Sequence, residues 1–253
     1  MNQPPIVTAA LLIIGNEILS GRTQDKNLAY LAGELNRVGI QLREVRVVPD
    51  VEAAIIDAVN ALRARYDYLF TTGGIGPTHD DITSESIARA FRVKLIRHPA
   101  AEAALRAHYT PEQINEARLK MADVPEGSEL VPNIVSAAPG FRIDNVFILA
   151  GVPKIMQAML AAAIPHLKGG AKIHSASTTT NLPEGTIAAG LSEIQARYPD
   201  LDIGSYPYYK QGDVATTLVF RGIDAGRAES AKGETEAMIL ALGGKLIPAP
   251  VSA

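Results

Sequence analysis

The 253-residue sequence contains no cysteine, which excludes disulfides, thiolate metal sites and cysteine nucleophiles together and fits a reducing compartment. Any metal must be held by oxygen or imidazole. Neither sign of charge dominates: 24 Lys plus Arg stand against 27 Asp plus Glu, a formal net of -3, so no general attraction to nucleic acid or anionic lipid is built in. No apolar stretch reaches the roughly 18 residues that a membrane span needs. The opening Met1-Asn2-Gln3-Pro4-Pro5 has no basic region, and the apolar run Ile6 to Ile14 passes straight into Gly15-Asn16-Glu17, so it reads as a buried strand and not as a secretory signal. A cytoplasmic protein with no membrane partner is expected. A hydrophobic content of 47% with 20% charged residues is that of a folded chain with a sizeable core. At about 150 residues per domain, the length predicts one large or two unequal domains.

The first two thirds alternate strand-like and helix-like patterns, the signature of an α/β domain built on a three-layer, mostly parallel sheet. Ala9 to Ile14 is a continuous apolar run, as expected of a strand covered on both faces. Leu28, Leu31, Leu35 and Val38 follow at helical spacing, closed by Gly39 as a C-cap. Ile40 to Val48 is the next strand, and Asp50 is placed to cap a helix burying Val51, Ala54, Ile55, Ala58 and Leu62. Tyr68 to Thr72 is the third strand. Helices are predicted around Ala100 to Tyr109 and Pro111 to Met121, the second opened by its proline. Phe141-Arg142-Ile143 and Val146 to Leu149 read as strands around an Asp144-Asn145 turn, with a helix after Gly151-Val152-Pro153. Lys168-Gly169-Gly170 is the linker candidate, dividing domains at 1–168 and 171–253. The remainder reads β-α-β-β-α-β, a small α+β ferredoxin-like module ending in a strand at Lys245-Leu246-Ile247.

The strongest local signal is Thr71-Thr72-Gly73-Gly74-Ile75-Gly76-Pro77-Thr78-His79-Asp80-Asp81-Ile82-Thr83. A buried strand ends in glycines that let backbone N–H groups approach a ligand, and a helix begins just beyond. In an α/β sheet, ligands bind at this carboxyl end of the strands. The glycine spacing fits neither GxGxxG nor GxxxxGK[ST], which sets aside dehydrogenase and P-loop ATPase readings. Asp80 or Asp81 is expected to cap the helix. The other would repel a phosphate unless a cation intervenes, and a hard divalent ion (Mg, Mn or Co) held by one or both carboxylates resolves that conflict. The second constellation, Gly15 to Asn27, follows the first strand and should reach the same sheet edge. Thr23 or Asp25 caps the next helix, while Asn16, Glu17, Arg22, Asp25 and Asn27 offer a mixed cluster able to bind a sugar or pterin edge. Catalytic roles are expected for Asp80, Asp81, Glu17 and Asp25; metal binding for Asp80 and Asp81; and ligand contact for Asn16, Arg22, Asn27, Thr72, Gly73, Gly74, Gly76, Pro77 and Thr78. In the tail, acidic residues outnumber basic ones and no GxxG loop is present, which argues against RNA; Tyr206, Tyr208 and Tyr209 read as strand residues at an interface.

The segments Gly15-Asn16-Glu17-Ile18-Leu19-Ser20-Gly21-Arg22-Thr23-x-Asp25-x-Asn27 and Thr71 to Thr83 closely resemble the competence/damage-inducible protein A (CinA) family, whose N-terminal domain has the fold of molybdopterin-binding proteins. Further matches are Asn115-Glu116-Ala117 with Met121-Ala122, Pro125-Glu126-Gly127, Ala138-Pro139-Gly140-Phe141, and Gly151-Val152-Pro153 with Met156 and Met159. They cover about residues 6 to 167, and the tail more loosely. The resemblance implies a molybdopterin-binding-type domain linked to divalent-metal-dependent hydrolysis of the pyrophosphate bond in ADP-ribose, or, without turnover, a carrier of molybdopterin or a nucleotide. It adds Pro139, Gly140, Gly151 and Pro153 to the ligand-contacting set and implies a homodimer. Longer members carry a nicotinamide mononucleotide deamidase domain that does not occur within these 253 residues, so that activity is not expected here.

Overall fold

The run Ala9 to Ile14 has no polar face because it is covered twice. In the computed structural model, which describes residues 5–210 and 213–248 without the side chains of Tyr209, Lys210 and Asp213, it forms most of strand β1 (Val7–Ile14). Ala9, Leu11 and Ile13 point into one core cluster, and Ala10, Leu12 and Ile14 into a second on the opposite face. The period of two is therefore present but invisible in the letters, since both faces are apolar. Each fully buried Leu or Ile here contributes about 2 kcal/mol of transfer free energy.

The chain divides into two compact units, Met1–Ala171 and Lys172–Ala253. In the first, β1 leads through a short α1 (Asn16–Leu19) to α2 (Asn27–Arg37), β2 (Ile40–Val48), α3 (Glu52–Arg63) and β3 (Tyr68–Thr72). Then come α4 (Thr83–Phe91), β4 (Leu95–Arg97), α5 (Pro99–His108), α6 (Glu116–Leu119) with a 3-10 turn over Lys120–Ala122, β5 (Asp123–Pro125) and β6 (Glu129–Val131). The unit ends with β7 (Gly140–Ile143), β8 (Val146–Leu149) and α7 (Pro153–Ala163). Six strands form one sheet in the order β2-β1-β3-β8-β7-β6. The first four are mutually parallel, and β7 and β6 extend the sheet antiparallel. Leu31 and Leu35 of α2 and Met156, Met159 and Leu160 of α7 cover one face, while Ile55, Val59 and Leu62 of α3 and Ile87 of α4 cover the other, giving three layers.

Hydrogen bonding corrects the expected helix starts. The helix predicted from Pro111 to Met121 begins only at Glu116, because the Asn115 side chain accepts the Arg118 N–H and sets the start there. Asp50 does not cap α3: the position before the helix is Val51, with no side-chain cap, and the Asp50 carboxylate instead accepts the Asn16 N–H at 2.8 Å. Neither Asp80 nor Asp81 caps α4, whose flanking residue is Ile82. The Lys168-Gly169-Gly170 segment is fastened to the first unit, with Gly170 N–H on the Gly39 carbonyl and Ala171 N–H on the Pro5 carbonyl.

The second unit comprises β9 (His174–Thr180), α8 (Glu184–Arg197), β10 (Asp202–Lys210), β11 (Asp213–Gly222) and α9 (Ala225–Ala241). Its antiparallel sheet runs β10-β11-β9, so β11 lies between two strands joined by a helix, the split βαβ arrangement. Ile187 and Ile194 of α8 and Ala228, Ala231 and Ile239 of α9 bury Leu218 and Phe220 on one face. The strand expected at Lys245-Leu246-Ile247 is reduced to a bridge between Leu246 and Thr180.

Candidate functional site

The site is set by where the parallel strands end. The helix after β1 lies on one face of the sheet and the helix after β3 on the other, so the chain diverges between these adjacent strands and leaves a crevice at their carboxyl ends. Gly73 sits at its centre. With φ of 103° it turns the chain where a side chain would be strained, and a Cβ there would run into the Ile14 carbonyl at the end of β1. Its N–H is committed to the Leu149 carbonyl at the end of β8, and Gly151 approaches its Cα closely. Three strand ends thus meet at one residue. Gly73 shapes the turn, and the donors on it belong to its neighbours: among the described residues, the N–H groups of Gly74, Ile75 and Gly76 take no part in the fold's own hydrogen bonds. The Thr83 N–H on the Gly74 carbonyl and the Thr83 hydroxyl on the Gly73 carbonyl, both at 3.0 Å, tie the turn to the start of α4.

Beyond the turn, Asp80 and Asp81 close on Thr78. The Thr78 N–H donates to Asp81 Oδ2 at 2.8 Å, and Thr78 Oγ1 lies 2.6 Å from Asp80 Oδ1 and 2.5 Å from Asp81 Oδ2. A hydroxyl has one proton, so it serves only one carboxylate, and the pair retains a surplus of lone pairs in a small volume. That donor set fits a hard cation, which carboxylate oxygens supplemented by phosphate oxygens would hold. The Asp80 carboxyl is held below its ordinary value, first by the Thr78 hydroxyl and then by a backbone amide, with lesser help from His79 and Lys120. It is ionised at neutral pH. Among the described residues, no group of three or more His, Asp or Glu stands close enough to hold a metal by itself.

The other predicted residues are distributed as follows. Asp25 Oδ1 accepts the Asn27 and Leu28 N–H groups at 3.1 and 2.8 Å, so it, and not Thr23, organises the start of α2. The Glu17 carboxylate folds back against Gly15, while Asn16 and Arg22 are exposed on the same connection. Asn27 is buried, its Nδ2 donating to the Gly151 carbonyl at 2.8 Å. Its Oδ1 and the Thr72 hydroxyl have no partner in the protein although both are inaccessible. Pro77 is exposed beside Thr78, and Pro153 opens α7. Pro139 and Gly140 are buried at the start of β7, where a Cβ on Gly140 would press on the Ile148 carbonyl. Two residues join the edge without a sequence signal: Asp50, through Asn16, and Lys120, whose Nζ donates to the Thr78 carbonyl at 2.9 Å. Two hollows of about 420 and 340 Å³ lie in the second unit, lined in part by Glu184, Leu191 and Gln195 and by Thr179, Lys232 and Glu236 respectively. Neither is lined by residues of the crevice. Tyr206 is half exposed on β10, and the side chain of Tyr209 lies outside the described residues. Among the described residues, no helix is long and apolar enough to cross a membrane.

Comparison with known proteins places this geometry. Residues 10–169 match the family model described as "Probable molybdopterin binding domain", and residues 172–241 match the one described as "FAD synthase, middle domain". A protein from Archaeoglobus fulgidus is 35% identical over 229 residues, covering 90% of this chain and 96% of its own length. A CinA-like protein from Desulfosudis oleivorans is 35% identical over 209 residues, covering 78% of this chain but 51% of its own length, so the chain spans about half of that relative. Among solved structures, the protein CinA with unknown function from Thermoplasma acidophilum shares 35% identity at a TM-score of 0.60, over 63% of this chain and 96% of its own.

Proposed function

From a chain that belongs to the molybdopterin-binding domain family, alongside its CinA-like members, we propose a protein that binds a phosphorylated pterin or nucleotide in the β1/β3 crevice and hydrolyses a pyrophosphate bond of the ADP-ribose type. The observation that carries this reading is the convergence of three strand ends on Gly73 beside the paired carboxylates of Asp80 and Asp81. The N–H groups of Gly74, Ile75 and Gly76 bind and orient one phosphate, and the buried Thr72 and Asn27 oxygens face no competing partner. Asp80 and Asp81 would hold the divalent cation, which when bound neutralises charge on the phosphoryl oxygens and lowers the pKa of water. Glu17 stands on the same edge as a base for that water, and Arg22 is placed to offset charge on the departing phosphate. Attack of water on one phosphorus breaks its bond to the bridging oxygen, giving AMP and ribose 5-phosphate. A cytoplasmic setting is part of this proposal, and the lack of cysteine is compatible with it.

The test is incubation with ADP-ribose and Mg²⁺, Mn²⁺ or Co²⁺, following AMP. Wild type is expected to release AMP, and Asp81→Ala to lose at least about a hundredfold in rate. If both proteins are equally inactive with every metal, the hydrolase reading falls. A second reading, binding without turnover, is favoured by the commitment of Asp25 to α2 and by the finding that, among the described residues, no group of three or more His, Asp or Glu is arranged to hold a metal. Tight, metal-independent binding of a nucleotide or molybdopterin with no product would establish it.

A further inference from the structure

The α6 segment and its 3-10 turn are bound up with the crevice in a way the proposed reaction does not use. Asn115 fixes the start of α6, and Arg97 reaches Glu116 at 3.0 Å and Asp123 at 2.8 Å, bracketing the segment on both sides. Leu119 and Ala122 are buried, and the His98 N–H is held on the Ala122 carbonyl at 2.9 Å. Lys120 therefore stands on a fixed backbone, and its side chain crosses to the Thr78 carbonyl at 2.9 Å, 42 residues away in sequence. We propose that Lys120 is a phosphate-binding residue and the built-in cation of the site, so that capture of the phosphate ligand does not require a divalent ion. This rests on the phosphate-binding reading of the crevice and divides its chemistry: Lys120 serves binding, and the metal serves the hydrolytic step alone.

Three features carry the assignment. An ammonium has three N–H donors and Thr78 takes one, leaving two for an anion. Among the described residues, Lys120 forms no salt bridge with a carboxylate; its hydrogen bond is to a neutral carbonyl, so no carboxylate occupies the ammonium and it can meet a ligand. Thr78 itself joins Asp80 and Asp81, which puts one positive charge into the same hydrogen-bonded group as two negative ones. A phosphate arriving at Gly74 to Gly76 thus meets a loop that carries one positive charge beside its two carboxylates, on the residue type that commonly binds phosphate as a point charge. An ordinary surface lysine would show neither the anchored backbone nor the long-range bond to this loop.

The test is calorimetry with inorganic pyrophosphate as the probe, in EDTA and in Mg²⁺, on wild type, Lys120→Gln and Lys120→Arg. Glutamine keeps a donor for the Thr78 carbonyl but removes the charge, which separates a loop-holding role from a charge role. Wild type is expected to bind in EDTA, Lys120→Gln to lose about tenfold or more, and Lys120→Arg to stay within about threefold. Binding of Lys120→Gln equal to wild type, an equal loss in both variants, or wild-type binding only with Mg²⁺ overturns the role of Lys120 and leaves the crevice as the phosphate site. No pyrophosphate binding in either buffer removes the crevice reading itself and this inference with it.

Discussion

The two ends of the same parallel sheet are built from similar residues and used differently. At the amino end, side chains are consumed in closing the fold: Asp67 accepts both the N–H and the hydroxyl of Thr8, and the Asn145 amide donates to the Arg63 and Tyr66 carbonyls. The Tyr68 hydroxyl holds the Lys168 N–H. At the carboxyl end the fold leaves capacity over. Among the described residues, the buried polar atoms without a partner are Asn27 Oδ1 and the hydroxyls of Thr71, Thr72 and Ser128, and all but the last stand at this end. Burying such atoms costs free energy, so their grouping beside glycine turns and crowded carboxylates marks the edge shaped for something other than stability. Polarity alone does not distinguish the ends; unmet hydrogen-bonding capacity does.

The largest effect should come from breaking the turn on which the carboxyl end depends. Gly73→Ala places a Cβ against the Ile14 carbonyl in a backbone held at φ 103°. It should cost about 3 kcal/mol of stability by denaturant titration and remove pyrophosphate binding. Unchanged stability together with unchanged binding would mean that the three strand ends do not depend on this residue. Asn145→Ala should act in the opposite sense at the other end. Loss of two side-chain hydrogen bonds leaves the Arg63 and Tyr66 carbonyls unmet, at about 2 kcal/mol, with affinity for pyrophosphate the same as wild type. A matching loss of affinity would break the division between a structural and a functional end.

Whatever repeats locally was legible in the sequence. The apolar run of β1, the Leu28 to Leu35 spacing of α2, Gly39 with its φ of 77° and the Asp144-Asn145 turn between β7 and β8 all carry their structure in adjacent letters. The Gly73 loop was legible for the same reason, since strand, glycines and acid pair are contiguous. Elements of three residues, such as β4 and β5, are too short to show a period. Side chains with two competing uses misled: Asp50, Asp80 and Asp81 have the chemistry of helix caps, yet the distant Asn16 claims Asp50 and the neighbouring Thr78 claims Asp80 and Asp81. Lys120 was beyond reach, because its partner is brought to it only by the folded chain and no spacing rule spans 42 residues.

The smallest effect tests the carboxylate pair from within. Asp80 is ionised below the ordinary carboxyl value of 3.8 because the Thr78 hydroxyl, above all, donates to its charged form. A carboxyl whose pKa is depressed by folding stabilises the folded state fully at pH values above the unfolded one, and that contribution fades as pH falls from about 3.8 through the lowered value. Thr78→Val removes the hydroxyl at nearly constant volume. Followed by carboxyl-carbon NMR, the Asp80 midpoint should rise toward 3.8, and the share of the acid limb that Asp80 supplies should shrink, through a small loss of stability at neutral pH and none at the acid extreme. The residue is exposed, so water takes over much of what the hydroxyl supplied. An unmoved midpoint would show that Thr78 does not govern this carboxylate. The hydroxyl proton would then belong to Asp81, and the surplus of lone pairs at the carboxyl end would sit chiefly on Asp80.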